Sequence, residues 1–412
     1  MVNSDDDKGE MKTNRYRKIV EHCGTPTFIY SEKTLKGNVQ RIKRALDDAS
    51  LADRVDIYAA YFTNSHPRLF EILAEQGIGA TLQGVEEYHQ LHSWGLKLPL
   101  VVSPTCLSDK DLEFFLDKQL QVNVSLPEEL EYALQGASNT GVRLDLSAEQ
   151  RQRTGLKIDE LDEIKQICRR LKKQVHAIHT YPGTGSNFQK LVKHAEDVFK
   201  VYKKHFSGVK EINLGGGFAF DYDADSTEDK HFPWREYFAK LASLIDQFQI
   251  PNNVRISIEP GRDIFADAGE FLVSVNRVHT RRGIQQVYTD GSYVFMPSAT
   301  IRERQHNIRI YDEHFREVED RSGSAELNGC TTLSSDFLFP GIVRAPVHIQ
   351  KGSYILVQDI GAYGSCQHME FLNKRPAAEV LVTNEGVLQL ITESGNPTDK
   401  IRYALCNPKL IG

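Results

Sequence analysis

No run of apolar residues in this 412-residue sequence is long enough to cross a membrane, and the polar, acidic N-terminus lacks the hydrophobic segment of a signal peptide. The six cysteines are scattered without metal-ligand spacing, which favours free thiols in a reduced cytoplasm. A formal net charge of −6 argues against a nucleic acid or an anionic membrane as partner. We therefore expect a cytoplasmic protein that binds no nucleic acid, no membrane and no structural metal.

The composition is that of an ordinary globular protein, with 40% apolar and 26% charged residues. Its length exceeds that of one average domain, so two domains are expected, one of them a large barrel. Residues 1–24, which begin with the polar sequence MVNSDDDKGEMKTN, are predicted to form a flexible leader outside both domains.

Between residues 31 and 268, short β-rich segments alternate with amphipathic helices. Residues 31–50 start with a serine cap and carry apolar residues at helical spacing, which predicts the first helix. Eight strands, each but the last leading into a helix, is the number that closes a parallel (β/α)8 barrel of the TIM type. The predicted strands are 55–62, 79–82, 98–103, 122–125, 141–146, 175–181, 211–214 and 254–258.

After residue 268 the pattern changes to strands without long helical segments between them. This change predicts a C-terminal all-β domain over residues 269–412, joined by the N-terminal segment 25–30. The predicted strands of this domain are 270–278, 285–289, 307–311, 343–349, 353–357, 377–382 and 387–391.

Two motifs follow neighbouring strands near the end of the predicted barrel. Asn213-Leu-Gly-Gly-Gly-Phe218 places three glycines after the seventh strand, where bare backbone N–H groups can close around a phosphate. Ile258-Glu-Pro-Gly-Arg262 places a carboxylate and another glycine turn after the eighth strand. Ligands of such barrels bind at the C-terminal ends of the strands, often with phosphate at the last loops. A phosphate cradle beside an acid suits a phosphorylated, nitrogen-containing cofactor.

Three more motifs occur in the order that one family shows. They are Tyr58-Ala-Ala-Tyr-Phe-Thr-Asn-Ser-His-Pro67, Ala177-Ile-His-Thr-Tyr-Pro-Gly-Thr184, and Asp359-Ile-Gly-Ala-Tyr-Gly364 followed by Phe371-Leu-Asn-Lys-Arg-Pro-Ala-Ala-Glu379. From about residue 25 to residue 405 the chain resembles the fold-type III pyridoxal-phosphate decarboxylases. That group contains the diaminopimelate, ornithine and arginine decarboxylases, and it has the fold of alanine racemase and ornithine decarboxylase.

The resemblance implies a cofactor, pyridoxal 5′-phosphate, and a role for each matching residue. Glu259 would face the pyridine nitrogen and keep it protonated, which favours decarboxylation over racemisation. Tyr181 stands where the family has a histidine stacked on the ring, and Thr184 replaces a serine hydroxyl. His179 belongs to the segment beside the ring, or is a hydrogen-bonded barrel histidine. The phosphate would be held by Gly215, Gly216, Gly217, Gly261, Arg262 and Tyr363.

The chain departs from the family at the lysine that forms the Schiff base with the cofactor. Counting back from Asn64 places Phe62 at the lysine position, and a shift by one residue places Tyr61 there. No lysine occurs between Lys43 and Lys97. The family's nearby acid, in its Asp-Val-Ala-Ser stretch, is also absent, since this stretch reads Thr81-Leu-Gln-Gly84. Noncovalent holding of the cofactor is therefore predicted.

A second departure concerns the loop that reaches the partner's site in the family. The Cys-Glu-Ser-x-Asp pattern appears here as Cys330-Thr-Thr-Leu-Ser-Ser-Asp336, so the thiol position is either Cys330 or Thr332. Asp336 suggests a substrate with a distant amine, or it braces its loop. Family membership further implies a homodimer with shared active sites.

Three hypotheses for the function remain open. The first is a decarboxylase acting on an amino acid or amine, of basic or diamino type, with noncovalently held cofactor. The second is a catalytically inactive homologue that acts as a binding or regulatory protein, as antizyme-inhibitor-like members of the family do. The third is an ordinary decarboxylase from which the lysine has been removed. The retained cofactor residues favour the first hypothesis.

Overall fold

The computed structural model describes residues 4–147, 155–224, 227–301 and 303–395. The chain forms two compact units. The first, here called the barrel unit, is Leu35–Phe265, and the second, the β unit, comprises Met1–Thr34 and Ala266–Gly412. No helix of the described residues combines the length and the apolarity that a bilayer span requires.

The chain begins with helix α1 (Ser4–Cys23) and strand β1 (Thr27–Ser31). The prediction of a flexible leader over residues 1–24 is wrong for the described part. Tyr16 and Ile19 of α1 are buried in a hydrophobic cluster of the β unit, and the Tyr16 hydroxyl donates a hydrogen bond to Glu270 at 3.0 Å. Helix α1 therefore packs on the β unit because its apolar positions lie one turn apart on the same face.

Eight parallel strands close a barrel in the barrel unit, as predicted. Strand β2 pairs with both β3 and β10, and β5 pairs with β6, which completes the ring. A short strand, β7 (Leu156–Lys157), pairs with β6 outside the ring. The barrel strands are β2 (Val55–Ala60), β3 (Gly79–Leu82), β4 (Leu100–Val102), β5 (Gln121–Val124), β6 (Gly141–Asp145), β8 (Ala177–Thr180), β9 (Glu211–Asn213) and β10 (Arg255–Ile258).

Helices connect the barrel strands and begin at residues suited to capping. Asn187 caps α8 by accepting from the Lys190 amide at 3.0 Å, and Ser108 caps α5 in the same way. The longer helices bury apolar side chains on one face, which holds them on the barrel. The helices are α2 (Glu32–Asp48), α3 (Pro67–Glu75), α4 (Val85–Ser93), α5 (Asp109–Asp117), α6 (Pro127–Gly136), α7 (Leu161–Leu171), α8 (Phe188–His205), α9 (Thr227–Lys230), α10 (Trp234–Gln247) and α11 (Arg262–Phe265), with a 3-10 turn at Tyr61–Thr63.

The β unit is a nine-stranded sheet with β1 near its centre. Strand β1 runs antiparallel to β11 and parallel to β17. The remaining elements are β11 (Gly269–Arg281), β12 (Ile284–Thr289), α12 (Pro297–Ile301), β13 (Ile308–Tyr311), β14 (Gly323–Asn328), β15 (Phe337–Ala345), β16 (Tyr354–Val357), β17 (Ala378–Val382) and β18 (Leu388–Thr392). Strand β14 was not predicted, and residues 396–412 of the predicted domain lie outside the described residues.

Candidate active site

Glu259 follows strand β10 and is buried inside the mouth of the barrel unit. Its Oε1 atom accepts hydrogen bonds from Asn213 Nδ2 at 2.9 Å and from Ser103 Oγ at 3.2 Å. Its Oε2 atom lies 3.3 Å from His179 Nε2. These partners come from the ends of β9, β4 and β8, so four strand ends meet at one carboxylate. The backbone N–H of Glu259 also donates to Gly215 O at 2.9 Å, which joins the acid to the triple-glycine turn.

The Glu259–His179 pair is an ionised acid beside a neutral imidazole. Burial lowers the pKa of His179, and the nearby Arg143 charge adds to this effect. Burial alone would raise the pKa of Glu259, but the contacts with His179 and Asn213 and the charge of Arg143 outweigh it and hold that pKa below its ordinary value. His179 Nε2–H therefore donates to the carboxylate. Its other ring nitrogen, Nδ1, is buried and has no hydrogen-bond partner among the described residues.

The triple-glycine turn after β9 lies directly against neighbouring backbone. A Cβ atom on Gly215 would lie 2.1 Å from Thr180 O, and one on Gly216 would lie 2.4 Å from Glu259 O. Gly215 also has a φ of +70°, so only glycine fits this position without strain. The Gly215 amide donates to Asn213 Oδ1 at 2.9 Å. Within the described ranges, the amides of Gly216 and Gly217 donate to no protein acceptor, which leaves two N–H groups for an anion.

Arg143, in the middle of β6, places a cation beside this cluster. Its Nη1 donates to the carbonyls of Ser103 and Pro104, and its guanidinium carbon lies 6.0 Å from the centre of the Tyr181 ring. Burial lowers the pKa of Arg143, while Glu259 opposes that shift. The partly exposed Tyr181 ring has its hydroxyl 2.7 Å from Thr184 Oγ1. The two residues predicted for ring stacking and phosphate binding are therefore in contact with each other.

The glycine turn after Glu259 packs on the end of β2. Ala60 N donates to Pro260 O at 3.0 Å, and a Cβ on Gly261 would meet Thr63 Oγ1 at 2.2 Å. Arg262 Nη1 donates to the Tyr222 hydroxyl at 3.0 Å. The turn and the end of β2 are thus fixed side by side, which brings the 3-10 turn at Tyr61–Thr63 next to the predicted phosphate residues.

The next residue, Asp263, is fully buried and accepts hydrogen bonds from several donors. Trp234 Nε1 lies 2.6 Å from Oδ2 and the Phe232 amide 2.9 Å from Oδ1. Arg41 Nη2 and His231 Nδ1 each lie 3.0 Å from a carboxylate oxygen. Asp263 therefore ties the turn that carries Arg262 to α2 and to the segment before α10.

The two candidates for the missing lysine position differ in environment. Tyr61 is fully buried, packs its ring 4.6 Å from that of Phe70, and donates its hydroxyl to Ser65 O at 2.8 Å. The Phe62 side chain is 37% exposed. Thr81, at the place of the family's acid, is buried, and its hydroxyl has no hydrogen-bond partner among the described residues. Neither aromatic residue carries an amine.

The other predicted site residues belong to the β unit. The Cys330 thiol lies 3.3 Å from Asp290 O, and burial raises its pKa while neighbouring Lys374 opposes the shift. Asp336 is buried and accepts from Ser292 Oγ at 2.8 Å and from the Thr331 amide at 2.6 Å. These contacts favour the alternative that Asp336 braces its loop over the prediction that it meets a substrate amine. Tyr363 has a φ of +59°, and its carbonyl accepts from Ser298 Oγ.

Several residues of the cluster were missed in the sequence. Ser103, Asn213 and Arg143 were read as strand residues, although each is a polar side chain within a predicted buried strand. Polar residues at alternate positions of a buried strand indicate a barrel interior, and this signal could have found them. A metal site is not indicated, because no group of three or more His, Cys, Asp or Glu side chains among the described residues could hold an ion.

Comparisons with known proteins agree with this geometry. The family model described as "Pyridoxal-dependent decarboxylase, pyridoxal binding domain" matches residues 33–266. Diaminopimelate decarboxylase of Aquifex aeolicus is 23% identical over 405 residues, covering 92% of this chain and 91% of the relative. Because the family model covers more than half of the chain, the protein belongs to the pyridoxal-dependent decarboxylases, enzymes that use pyridoxal phosphate to decarboxylate amino acids.

Solved structures share the fold over nearly the whole chain. Diaminopimelate decarboxylase of M. jannaschii in complex with L-lysine superposes with a TM-score of 0.82 at 19% identity, covering 95% of this chain and 94% of that one. Lysine/ornithine decarboxylase of Vibrio vulnificus with cadaverine gives a TM-score of 0.75 at 19% identity, with coverage of 89% and 97%. At these identities the likeness establishes the barrel with its additional β domain.

The residues of the barrel unit fit pyridoxal phosphate. The amides of Gly216 and Gly217, which donate to no acceptor within the described ranges, can bind an anion, and an ionised acid lies at the adjacent strand end. The buried and unpartnered Nδ1 of His179 is a further polar atom that a bound ligand or water can satisfy.

Proposed function

We propose that this protein decarboxylates a basic or diamino amino acid with pyridoxal phosphate held noncovalently. The observation that carries the proposal is the ionised Glu259, bound by Asn213, Ser103 and His179 directly beside a turn with free amides. The proposed substrate class comes from the similar enzymes, which are diaminopimelate and lysine/ornithine decarboxylases.

Each side chain has a defined part in this proposal. Bound pyridoxal phosphate supplies a ring that accepts negative charge from the carbon that loses carbon dioxide. Glu259 holds a proton at the ring nitrogen, since Oε2 contacts only His179 among the described residues and can accept a hydrogen bond from another donor. Gly216 and Gly217 bind the phosphate with Gly261, Arg262, Thr184 and Tyr363 as further candidates. Tyr181 contacts the ring face, and Cys330 is the candidate catalytic thiol.

We expect borohydride treatment of the protein with pyridoxal phosphate to fix no cofactor to any lysine, because Phe62 occupies the lysine position. Matched variants Phe62→Lys and Tyr61→Lys test the alignment. Phe62→Lys should gain a borohydride-stable adduct detected by mass spectrometry of peptides. Tyr61→Lys should gain little, because the Tyr61 site is fully buried beside Phe70. A lysine adduct in the wild-type protein would contradict noncovalent holding.

We expect slow release of carbon dioxide from an amino acid with a second amino group. The assay compares lysine, ornithine, arginine, diaminopimelate and carboxylated polyamines, with leucine as the control that lacks the second amine. The loss of the lysine amine removes a covalent anchor, which is the reason for slow turnover. Release from leucine alone would contradict the substrate class.

The second candidate function is an inactive homologue that binds a partner or ligand. The observation that favours it is the joint loss of the lysine and of its neighbouring acid, at Phe62 and Thr81. If the protein takes up the cofactor but releases carbon dioxide from none of the screened compounds, this candidate is supported. Carbon dioxide release from any one of them excludes it. The proposed homodimer has a separate test, because sedimentation of an active protein as a monomer would contradict shared active sites.

A further inference from the structure

One histidine of helix α8, His194, contacts the barrel strand β8 next to the triple-glycine turn. His194 Nε2 lies 2.9 Å from Thr180 Oγ1, at the end of β8. Thr180 Oγ1 in turn lies 3.3 Å from the main-chain oxygen of Asn213, at the end of β9, and can donate to it. His194 lies in no motif of the sequence, because it reaches the site from a helix on the outside of the barrel.

Asn213 connects this contact to both parts of the proposed cofactor site. Its side chain donates to Glu259 through Nδ2 and accepts from the Gly215 amide through Oδ1 at 2.9 Å. Thr180 also touches the turn through its carbonyl, which lies 2.1 Å from where a Cβ on Gly215 would be. The hydroxyl that His194 bonds therefore belongs to a residue packed against the first glycine of the turn.

The imidazole of His194 acts without a positive charge at neutral pH. Burial lowers its pKa to about 4, and the charge of Lys190 contributes in the same direction, while Asp197 and a hydrogen bond with the backbone of Leu214 oppose the shift. A neutral ring offers one donor and one acceptor nitrogen. At neutral pH it therefore contributes hydrogen bonds, one with Thr180 and one with the backbone of Leu214, the residue before the turn.

We propose that His194 is a positioning residue for the cofactor phosphate. Through Thr180 and Asn213 it holds residues 215–217 in the conformation in which the amides of Gly216 and Gly217 bind the phosphate. The inference rests on the proposed function, since it assumes the same phosphate site. His194 bonds Thr180, so it is a positioning residue and not a catalytic one.

The test compares two ligands that differ only in the phosphate. Dissociation constants for pyridoxal phosphate and pyridoxal are measured by equilibrium dialysis at pH 7.5 on about 10 µM protein for the wild type and for His194→Leu. We expect the constant for pyridoxal phosphate to rise about tenfold and that for pyridoxal to change by less than about twofold. His194→Gln, which can still bond Thr180, should recover most of the affinity. His205→Leu, at the far end of the same helix, is the control and should match the wild type.

The outcomes separate this inference from the proposed function. If the wild type prefers pyridoxal phosphate and His194→Leu keeps that preference in full, the inference is wrong and the phosphate site stands. Equal weakening of both ligands also overturns the inference, because a general loss of structure has that result. A wild type without any preference overturns the phosphate site and the inference together. If His194→Leu does not fold, Thr180→Val removes the same hydrogen bond and is judged by the same criteria.

Discussion

Replacing Glu259 by glutamine is expected to lower kcat/KM for decarboxylation by about 10²–10³-fold, the size of effect found when one preorganised electrostatic contact is removed from an active site. A neutral amide cannot hold a proton at the ring nitrogen, so the ring accepts less charge. The carboxylate of Glu259 now faces three donors, Asn213 Nδ2, Ser103 Oγ and His179 Nε2. A glutamine at this position would turn an N–H group toward at least one of them, and an N–H group cannot accept that donor's hydrogen bond. The measurement is steady-state carbon dioxide release from the substrate found in the screen.

Glu211→Gln is a matched control for this substitution. Glu211 is also buried in the barrel unit and accepts from Ser257 Oγ at 2.5 Å. Burial raises the pKa of Glu211, which favours its neutral form. Glutamine, which is also neutral, should therefore replace Glu211 with little loss. We expect activity within about threefold of the wild type, as for a polar substitution that removes no reacting group. The absorbance spectrum of the bound cofactor gives a second readout, since its pH dependence should change in Glu259→Gln alone. An unchanged spectrum and unchanged activity in Glu259→Gln would exclude Glu259 from the ring nitrogen.

The barrel could be predicted because local sequence determines its elements. Strand β6 (Gly141–Asp145), for example, was predicted as 141–146, since a short β-rich run between two turn signals has few other interpretations. The acid and the glycines of the site were found for a related reason. Glu259 and residues 215–217 each follow a strand directly, and the ends of parallel strands meet at one face of a barrel.

The β unit was less predictable because its elements depend on distant partners. Strand β14 (Gly323–Asn328) contains no β-branched or aromatic residue, and it forms because it pairs with β12 and β15. The strand predicted at 343–349 overlaps only the end of β15, which continues through Pro340 and Gly341. Helix α1 was missed for the same reason, since its polar composition hides buried residues such as Tyr16 and Ile19, which pack on the β unit.

The side-chain contacts inside the barrel depend on the register in which neighbouring strands pair, and the residue pattern of a single strand does not determine that register. Asn213 pairs with His179 on one side and with Ser257 on the other, and these pairings decide that its side chain points to Glu259. Arg143 lies opposite His179 in the next strand pair. His194 required the packing of a helix on the barrel. The sequence therefore predicted the turn residues and His179, and the structure adds Ser103, Asn213 and Arg143 from the strands and His194 from the helix behind them.

Replacing Asp263 by alanine is expected to lower the free energy of unfolding by about 3–5 kcal/mol, because it removes one member of a buried charged network. The change leaves Trp234 Nε1, the Phe232 amide and Arg41 without their acceptor. Burial would raise the pKa of Asp263, but the contacts with His231, Arg41 and Trp234 outweigh it, so its pKa in the folded protein lies below its ordinary value. The unfolded chain then binds more protons, so this stabilisation is present above about pH 4, the pKa of an unfolded aspartate, and is lost as the pH falls through the lower folded value.

Urea unfolding followed by tryptophan fluorescence is a direct measurement of this loss, because Trp234 is one of two tryptophans and bonds Asp263 itself. Asp197→Ala is the control, since Asp197 pairs with Lys193 and Lys200 on the exposed side of α8, and its removal should change stability by less than about 1 kcal/mol. The difference between wild type and Asp263→Ala should shrink as the pH is lowered below about 4. A difference that stays constant down to acid pH would show that the ionised carboxylate does not stabilise the fold. The buried charge then serves only to orient the turn that carries Arg262, and the stability of the barrel rests on its apolar contacts.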